Sequence, residues 1–501
     1  GAGSGRCPGA GAAAASSSVG DLPEHLVANI VRRLPARARA RASAACSQWR
    51  DLLGPAQDPG LWRRADALEL LAEYQGEYLS ATLAWGGLLR ARGEHVRELS
   101  LRGFRTFAPS IFLVEPFRMG LLPNLVSADL SGSSAGGAVL YWALVQCPGL
   151  LRLDASDCEL EAEWVDQLQW YIDKERSVLG RQVTFALQSL RLRNSFRHGA
   201  ALNKLLAIVG RSCPDLSELA MGWHPRFLPD GIPGLWGGPA SCGLGGLRGF
   251  DAQRLKRLNL AGCGALRDAE LAGLLRASGE SLRALNLAGC SQITSHSLAL
   301  LDAPALDTLH LKNLWGVGGL TFSRLLARHP LLIRLSLAGT EVAAADLESA
   351  LPACRHLRVL DLSGCARIDA SRLPGLLGGL CGRLADLGCG GTAGLTDAVL
   401  LQLLRDHPGL RALSIAHSPG LTVQSLETAA KRCPTLESLC LSGNSQFGMG
   451  TVIALLERCL HLKHVGAADM GWAGGQVAEA TVERLQSLRG SDPWAHAAED
   501  W

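Results

Sequence analysis

A leucine segment of the form L-x-x-L-x-L returns along most of this chain at a spacing near 26 residues, and that return constrains the fold more than any other feature. It opens at Leu255 ("LKRLNLAGC"), Leu282 ("LRALNLAGC"), Leu306, Leu332, Leu357, Leu384, Leu410, Leu436 and, in weaker form, Leu462. Looser copies start near Val96, Leu125, Leu150, Leu187 and Leu216. A unit of this length has room for one short strand, a turn and one helix. It can bury its leucine face only by stacking on its neighbours.

The columns between the leucines fit that geometry. Seven residues past the opening leucines stand Gly262, Gly289, Asn313, Gly339, Gly364, Gly391, His417, Gly443 and Asp469. Glycine needs no Cβ clearance at positive φ, and Asn, Asp and His are the next most tolerant, so a left-handed residue is predicted where the chain leaves each strand. The next column holds Cys263, Cys290, Cys365, Ser418 and Asn444, small groups able to sit inside a turn and bond its backbone. Thr294, Asp369, Thr396 and Thr422 stand where helix N-caps belong. Pro148, Pro214, Pro304, Pro330, Pro408 and Pro434 follow the helices, where chains commonly stop. The predicted fold is an α/β solenoid.

Composition removes other classes. The 501 residues carry a net charge of +3, without the overall basic balance of a nucleic-acid binder. No apolar run approaches the ~18 residues of a membrane span. The opening "GAGSGRCPGAGAAAASSS" lacks the hydrophobic centre of a secretory signal, and residues 1–20 are expected to be disordered low complexity. Fifteen cysteines form no C-x-x-C pair, are odd in number and recur at repeat positions, so neither a disulfide framework nor a metal site is expected. That pattern suits a reducing cytoplasmic or nuclear compartment.

One stretch is unlike the rest: "DLPEHLVANIVRRLPARARARASAACSQWRDLL", residues 21–53. Leu22, Leu26, Ile30 and Leu34 recur every four residues, with Val27 and Val31 widening an apolar helix face. Asp21 can cap that helix, Pro23 fits its first turn and Pro35 ends it. Ala42, Ala45, Cys46, Trp49 and Leu53 make a second helical set. Helices this short make a marginal core alone, and one reading is a cap that covers the first repeat.

The segment also resembles an F-box, through Leu22-Pro23, the Leu26/Ile30/Leu34 face, Cys46-x-x-Trp49-Arg50 and Leu61-Trp62. The repeats, over about 96–481, resemble the cysteine-containing class of leucine-rich repeats, curved horseshoes with strands on the inner face. An F-box followed by such repeats is a known pairing. The resemblance implies a non-enzymatic, cofactor-free substrate-recognition subunit of a Skp–cullin–F-box ubiquitin ligase. Its F-box would dock a Skp-family adaptor and, through it, a cullin, while the repeats hold a protein substrate. Leu22, Pro23, Leu26, Ile30, Leu34, Cys46 and Trp49 would lie at or support the adaptor interface. The small side chains of residues 36–45 would bury less apolar area, at roughly 25 cal/mol per Å² lost, which predicts modest affinity. The implied layout is an F-box at 21–64, a helical linker at 65–95, the solenoid at 96–481 and a C-terminal cap or tail at 482–501.

Substrate contacts are expected where the repeat is interrupted: the Gly/Pro-rich insertion near 222–253, the stretch 104–117, and 163–175. The candidate set is Arg191, Arg193, Trp223, His224 and Trp236; the competing reading packs these aromatics on the solenoid flank. From Leu255 onward the inner face reads as mostly small and exposed: Asn259, Ala261, Asn286, Ala288, Ser336, Ala338, Asp361, Ser363, Ser414 and Ala416. "GSSAG" at 132–136 matches the G-x-S-x-G of a nucleophile elbow, with Ser134 in the nucleophile position. The strand before it is a repeat strand, however, and its glycine belongs to the repeat turn, so no catalytic residue is expected. The alternative to a ligase subunit is a repeat scaffold without ligase assembly. Neither nucleic acid nor a membrane is an expected partner.

Overall fold

The computed structural model describes residues 63–67, 78–104, 111–134, 136–158, 160–196, 199–222, 244–247, 250, 252–459 and 461–466. Among them fifteen three-residue strands pair side by side, in chain order, into one open parallel sheet. They are β1 (Arg64–Asp66), β2 (Glu98–Ser100), β3 (Ser127–Asp129), β4 (Arg152–Asp154), β5 (Ser189–Arg191), β6 (Glu218–Ala220), β7 (Arg257–Asn259), β8 (Ala284–Asn286), β9 (Thr308–His310), β10 (Arg334–Ser336), β11 (Val359–Asp361), β12 (Asp386–Gly388), β13 (Ala412–Ser414), β14 (Ser438–Cys440) and β15 (His464–Gly466).

From β2 onward every strand occupies the second to fourth residues after an opening residue read from the sequence. The middle leucines pair in register: Leu258, Leu285, Leu309, Leu335, Leu360, Leu387, Leu413 and Leu439 form one row. These leucines are buried, together with those that open each repeat and those just past each strand. Neighbouring strands stand ~4.8 Å apart, whereas packed helices need about 8–10 Å, so the sheet becomes the inner side of a curve.

From β2 onward the predicted left-handed residue follows the strand wherever its position is described. Gly262 (φ 73°), Asn313 (φ 58°) and His417 (φ 51°) lie in that region, as do Gly103, Gly132, Asp157 and Asn194 of the looser copies. The following column reaches further than expected. Its side chains bond the preceding repeat: the thiols of Cys158, Cys290 and Cys365 donate to the carbonyls of Leu130 (3.0 Å), Leu260 (3.0 Å) and Leu337 (3.1 Å). Asn444 Nδ2 donates to Ile415 O in the same way, at 2.8 Å. Burial pushes the Cys290 thiol up to about 12 and that of Cys365 up to about 11, so both remain S–H donors.

The sheet also starts earlier than the leucines suggest. In β1, Ala65 and Ala67 fill the two inward positions that leucine holds elsewhere, and both are buried. The residues before 63, where the short F-box helices are expected, lie outside the described residues, as do those beyond 466.

Helix starts link neighbouring repeats. Thr294 and Thr422 cap their helices by accepting from His296 N and Gln424 N. Asp268, in the first turn of the preceding helix (Asp268–Ser278), accepts from Thr294 N (3.0 Å), from Thr294 Oγ1 and from Ser297 Oγ (2.6 Å). Asp397 repeats the arrangement with Thr422 and Ser425. Burial raises the Asp268 pKa, but these bonds outweigh it and hold the carboxyl below the usual range. Asp268→Ala is expected to cost about 1–2 kcal/mol in urea unfolding. Because the folded pKa lies below the unfolded one, this stabilisation is complete above the ordinary Asp pKa. It fades as pH falls through the folded value. An unchanged midpoint at neutral pH would refute it.

Candidate functional site

Each strand directs its middle side chain into the core, so its first and third side chains occupy the opposite, open face. The third position was expected to be exposed. It is closed instead: Asn259, Asn286, Ser336, Asp361 and Ser414 are all buried. Their own chemistry explains this. Oδ1 of Asn259, Asn286 and Asp361 accepts the N–H two residues on, at 3.1, 3.0 and 3.0 Å, which folds each side chain down onto its turn. Asp129 and Asp154 do the same in β3 and β4. Ser336 Oγ donates to Asp361 Oδ2 at 3.2 Å, joining neighbouring strands.

What remains accessible to a partner lies at the sheet's leading edge, in the first strand position and in the residue before it, where the chain enters the strand. From β7 to β15 these two columns carry Lys256, Arg257, Arg283, Arg334, Arg358, Arg411 and Lys463 against Asp307, Asp386 and Glu437. All seven bases are exposed. Side chains of successive repeats meet along this edge: the Glu437 carboxylate takes Arg411 on one side and Lys463, at 2.6 Å, on the other. Those two partners hold its pKa below the ordinary value. The sequence reading sampled the column behind this one, and so saw a floor of small residues.

Of the candidate substrate contacts, Arg191 lies at the end of β5, register-paired with Asp154 and Ala220. It forms an ion pair with Glu218 of β6 at 2.6 Å. Beside it, burial raises the Asp154 carboxyl despite hydrogen bonds from Ser156 and the nearby Arg191 charge. Arg193 is half-buried in the next turn, its backbone N–H bonded to Ser156 Oγ at 3.3 Å. Trp223, His224 and Trp236 fall outside the described residues. The stretch 163–175 belongs to the helix Ala162–Leu179, on which Trp170 is exposed with Lys174 Nζ 4.9 Å from its ring centre. Ser134 lies in the turn that follows β3, its N–H bonded to Phe104 O.

The family comparisons address the two ends of this layout separately. An F-box-like profile matches residues 19–67 and a leucine-rich-repeat profile matches residues 353–371, which span β11. The chain carries an F-box-like segment and a leucine-rich repeat.

Its F-box-like match contains all seven residues assigned to an adaptor interface, Leu22 through Trp49, every one of which lies outside the described residues. The match also runs into β1, the first strand of the repeat sheet. Among solved structures, the F-box and repeat chain is similar to the yeast complex of Rad7 and Elc1, at 14% identity and a TM-score of 0.44, over 87% of this chain and 96% of that one. It is also similar to an internalin of Listeria monocytogenes (14% identity, TM-score 0.30, 81% and 86% covered). A third likeness is to the repeat protein LegL7 of Legionella pneumophila (14%, TM-score 0.33, 61% and 95%). Comparison with curated proteins found no match. No helix among the described residues is long and apolar enough to cross a membrane.

Proposed function

We propose that this protein is the substrate-recognition subunit of a Skp–cullin–F-box ubiquitin ligase. The F-box-like segment docks a Skp-family adaptor, which brings a cullin, and the repeat sheet holds a protein for ubiquitination. The observation that carries the reading is the union, in one chain, of an F-box-like segment and an open sheet of fifteen strands. Such a subunit does no chemistry of its own. It raises the rate by holding its passenger near the ubiquitin-conjugating enzyme, turning an encounter into a local event. In this proposal Leu22, Pro23, Leu26, Ile30, Leu34, Cys46 and Trp49 serve the adaptor, and the substrate lies on the repeats within reach of Arg191, Arg193, Trp223, His224 and Trp236.

Co-purification with a Skp-family adaptor and cullin tests this, comparing wild type with Leu22→Ala/Pro23→Ala. The expected result is capture by wild type and its loss in a double mutant whose circular dichroism is unchanged. A folded wild-type chain that captures no adaptor would sink the ligase reading and leave a repeat scaffold.

A further inference from the structure

We infer that the leading edge of the open face, from β7 to β15, docks an extended, carboxylate-rich segment of a partner protein. The inference rests on the ligase reading only in taking that partner to be the substrate.

The stripe's charge is concentrated and available. Its seven bases and three acids give +4, more than the +3 of the whole chain, so everything else sums to −1. Lys256, Arg257, Arg283 and Arg358 make no ion pair and no side-chain hydrogen bond among the described residues. The acids are the less exposed members: Asp307, Asp386 and Glu437 are half-buried between the bases. Arg334 and Arg411 both act on Asp386 across the strands, which couples the charges of β10, β12 and β13.

The shape of the stripe selects the partner. Nine strands at ~4.8 Å span roughly 38 Å, the length of about eleven residues of extended chain at ~3.4 Å each. Bases come about once per repeat with acids between them, which suits single charges spread along a segment more than the doubled charge of one phosphate group. A nucleic-acid strand fits poorly. It carries one uninterrupted charge per phosphate, and neither column offers a Phe, Tyr or Trp on which bases could stack. The inner side of a curve is equally unsuited to a flat bilayer. Ile333, 39% exposed and in the same column as Arg358 and Asp307, adds one apolar contact to the stripe. The segment it fits is therefore acidic with an apolar side chain near its middle.

Fluorescence anisotropy on the full chain tests this with a labelled peptide of about eleven residues, alternating Glu and Gly around one Leu. Arg283→Glu/Arg334→Glu/Arg358→Glu should weaken binding roughly tenfold or more, and wild-type affinity should fall as added salt shortens the Debye length. The triple Arg276→Glu/Arg324→Glu/Arg405→Glu makes the same change in net charge on exposed helix positions and should leave affinity within about twofold. Equal losses in both triples would reduce the effect to net charge and overturn the inference. So would no binding by wild type, or tighter binding of a labelled single-stranded RNA or of phosphatidylserine vesicles. Adaptor capture keeps the two readings apart: capture retained by the stripe triple with lost peptide binding supports both, and a wild type that binds the peptide but captures no adaptor removes only the ligase.

Discussion

Phe322→Ala is expected to cost about 3–5 kcal/mol, the penalty for emptying a large, fully enclosed core position. Phe322 is 1% exposed on the helix Gly319–Arg328, between β9 and β10. That helix packs against the short helices Ser295–Leu298 and Ala344–Glu348 of the repeats on either side. Four and five residues long, these neighbours bury little themselves and have little capacity to close a cavity. Contacts in a stacked array run only between neighbours, so the loss should be local. Hydrogen exchange should accelerate first in β8–β11, and urea unfolding should separate into two steps. Acceleration spread evenly over the whole sheet would show that the repeats unfold as one unit and refute the local picture.

The second large effect is a pH dependence centred on His310. This residue ends β9 on the open face, is 6% exposed, and has its pKa pushed down to about 4 by burial, with the nearby Arg334 charge adding to the shift. The ring is thus neutral in the folded protein across the physiological range. An unfolded chain binds the proton near pH 6.5, so stability is full above that value and is lost as pH falls toward about 4. The loss amounts to about 2 kcal/mol at pH 5 and about 3 kcal/mol once both states are protonated. In His310→Gln this part of the acid sensitivity should vanish. His329 and His407, which burial also holds below their usual pKa, remain in both proteins and cancel. Denaturant melts at pH 7 and pH 5 decide it: equal slopes for the two proteins would mean that His310 titrates normally.

The repeat was legible because its signals are steric and local. A leucine every third or second residue, followed by a residue tolerant of positive φ, located fourteen of the fifteen described strands. β1 was missed for a physical reason: Ala65 and Ala67 are small enough to be buried at the start of the sheet, yet a search for leucine passes over them. The floor of the open face was misread because alternation predicts only which way a side chain starts out. It does not say whether Asn259 or Asp361 then turns down to accept its own turn's N–H. The basic edge was overlooked because its members lie about 26 residues apart and become neighbours only when the strands align. Arg191 carried a legible charge but an illegible partner, since Glu218 lies 27 residues further along the chain.

β1 has a consequence for how a ligase built on this chain would work. The chain enters the sheet at Arg64, inside the segment matched as F-box-like. If that segment also docks the adaptor, mount and load share one stretch of chain, as in a bracket rather than a leash. The lysines of a bound protein that come within range would then be chosen by docking pose rather than by random sampling. Spacer residues inserted ahead of Arg63 should broaden the set of modified lysines while leaving substrate affinity alone.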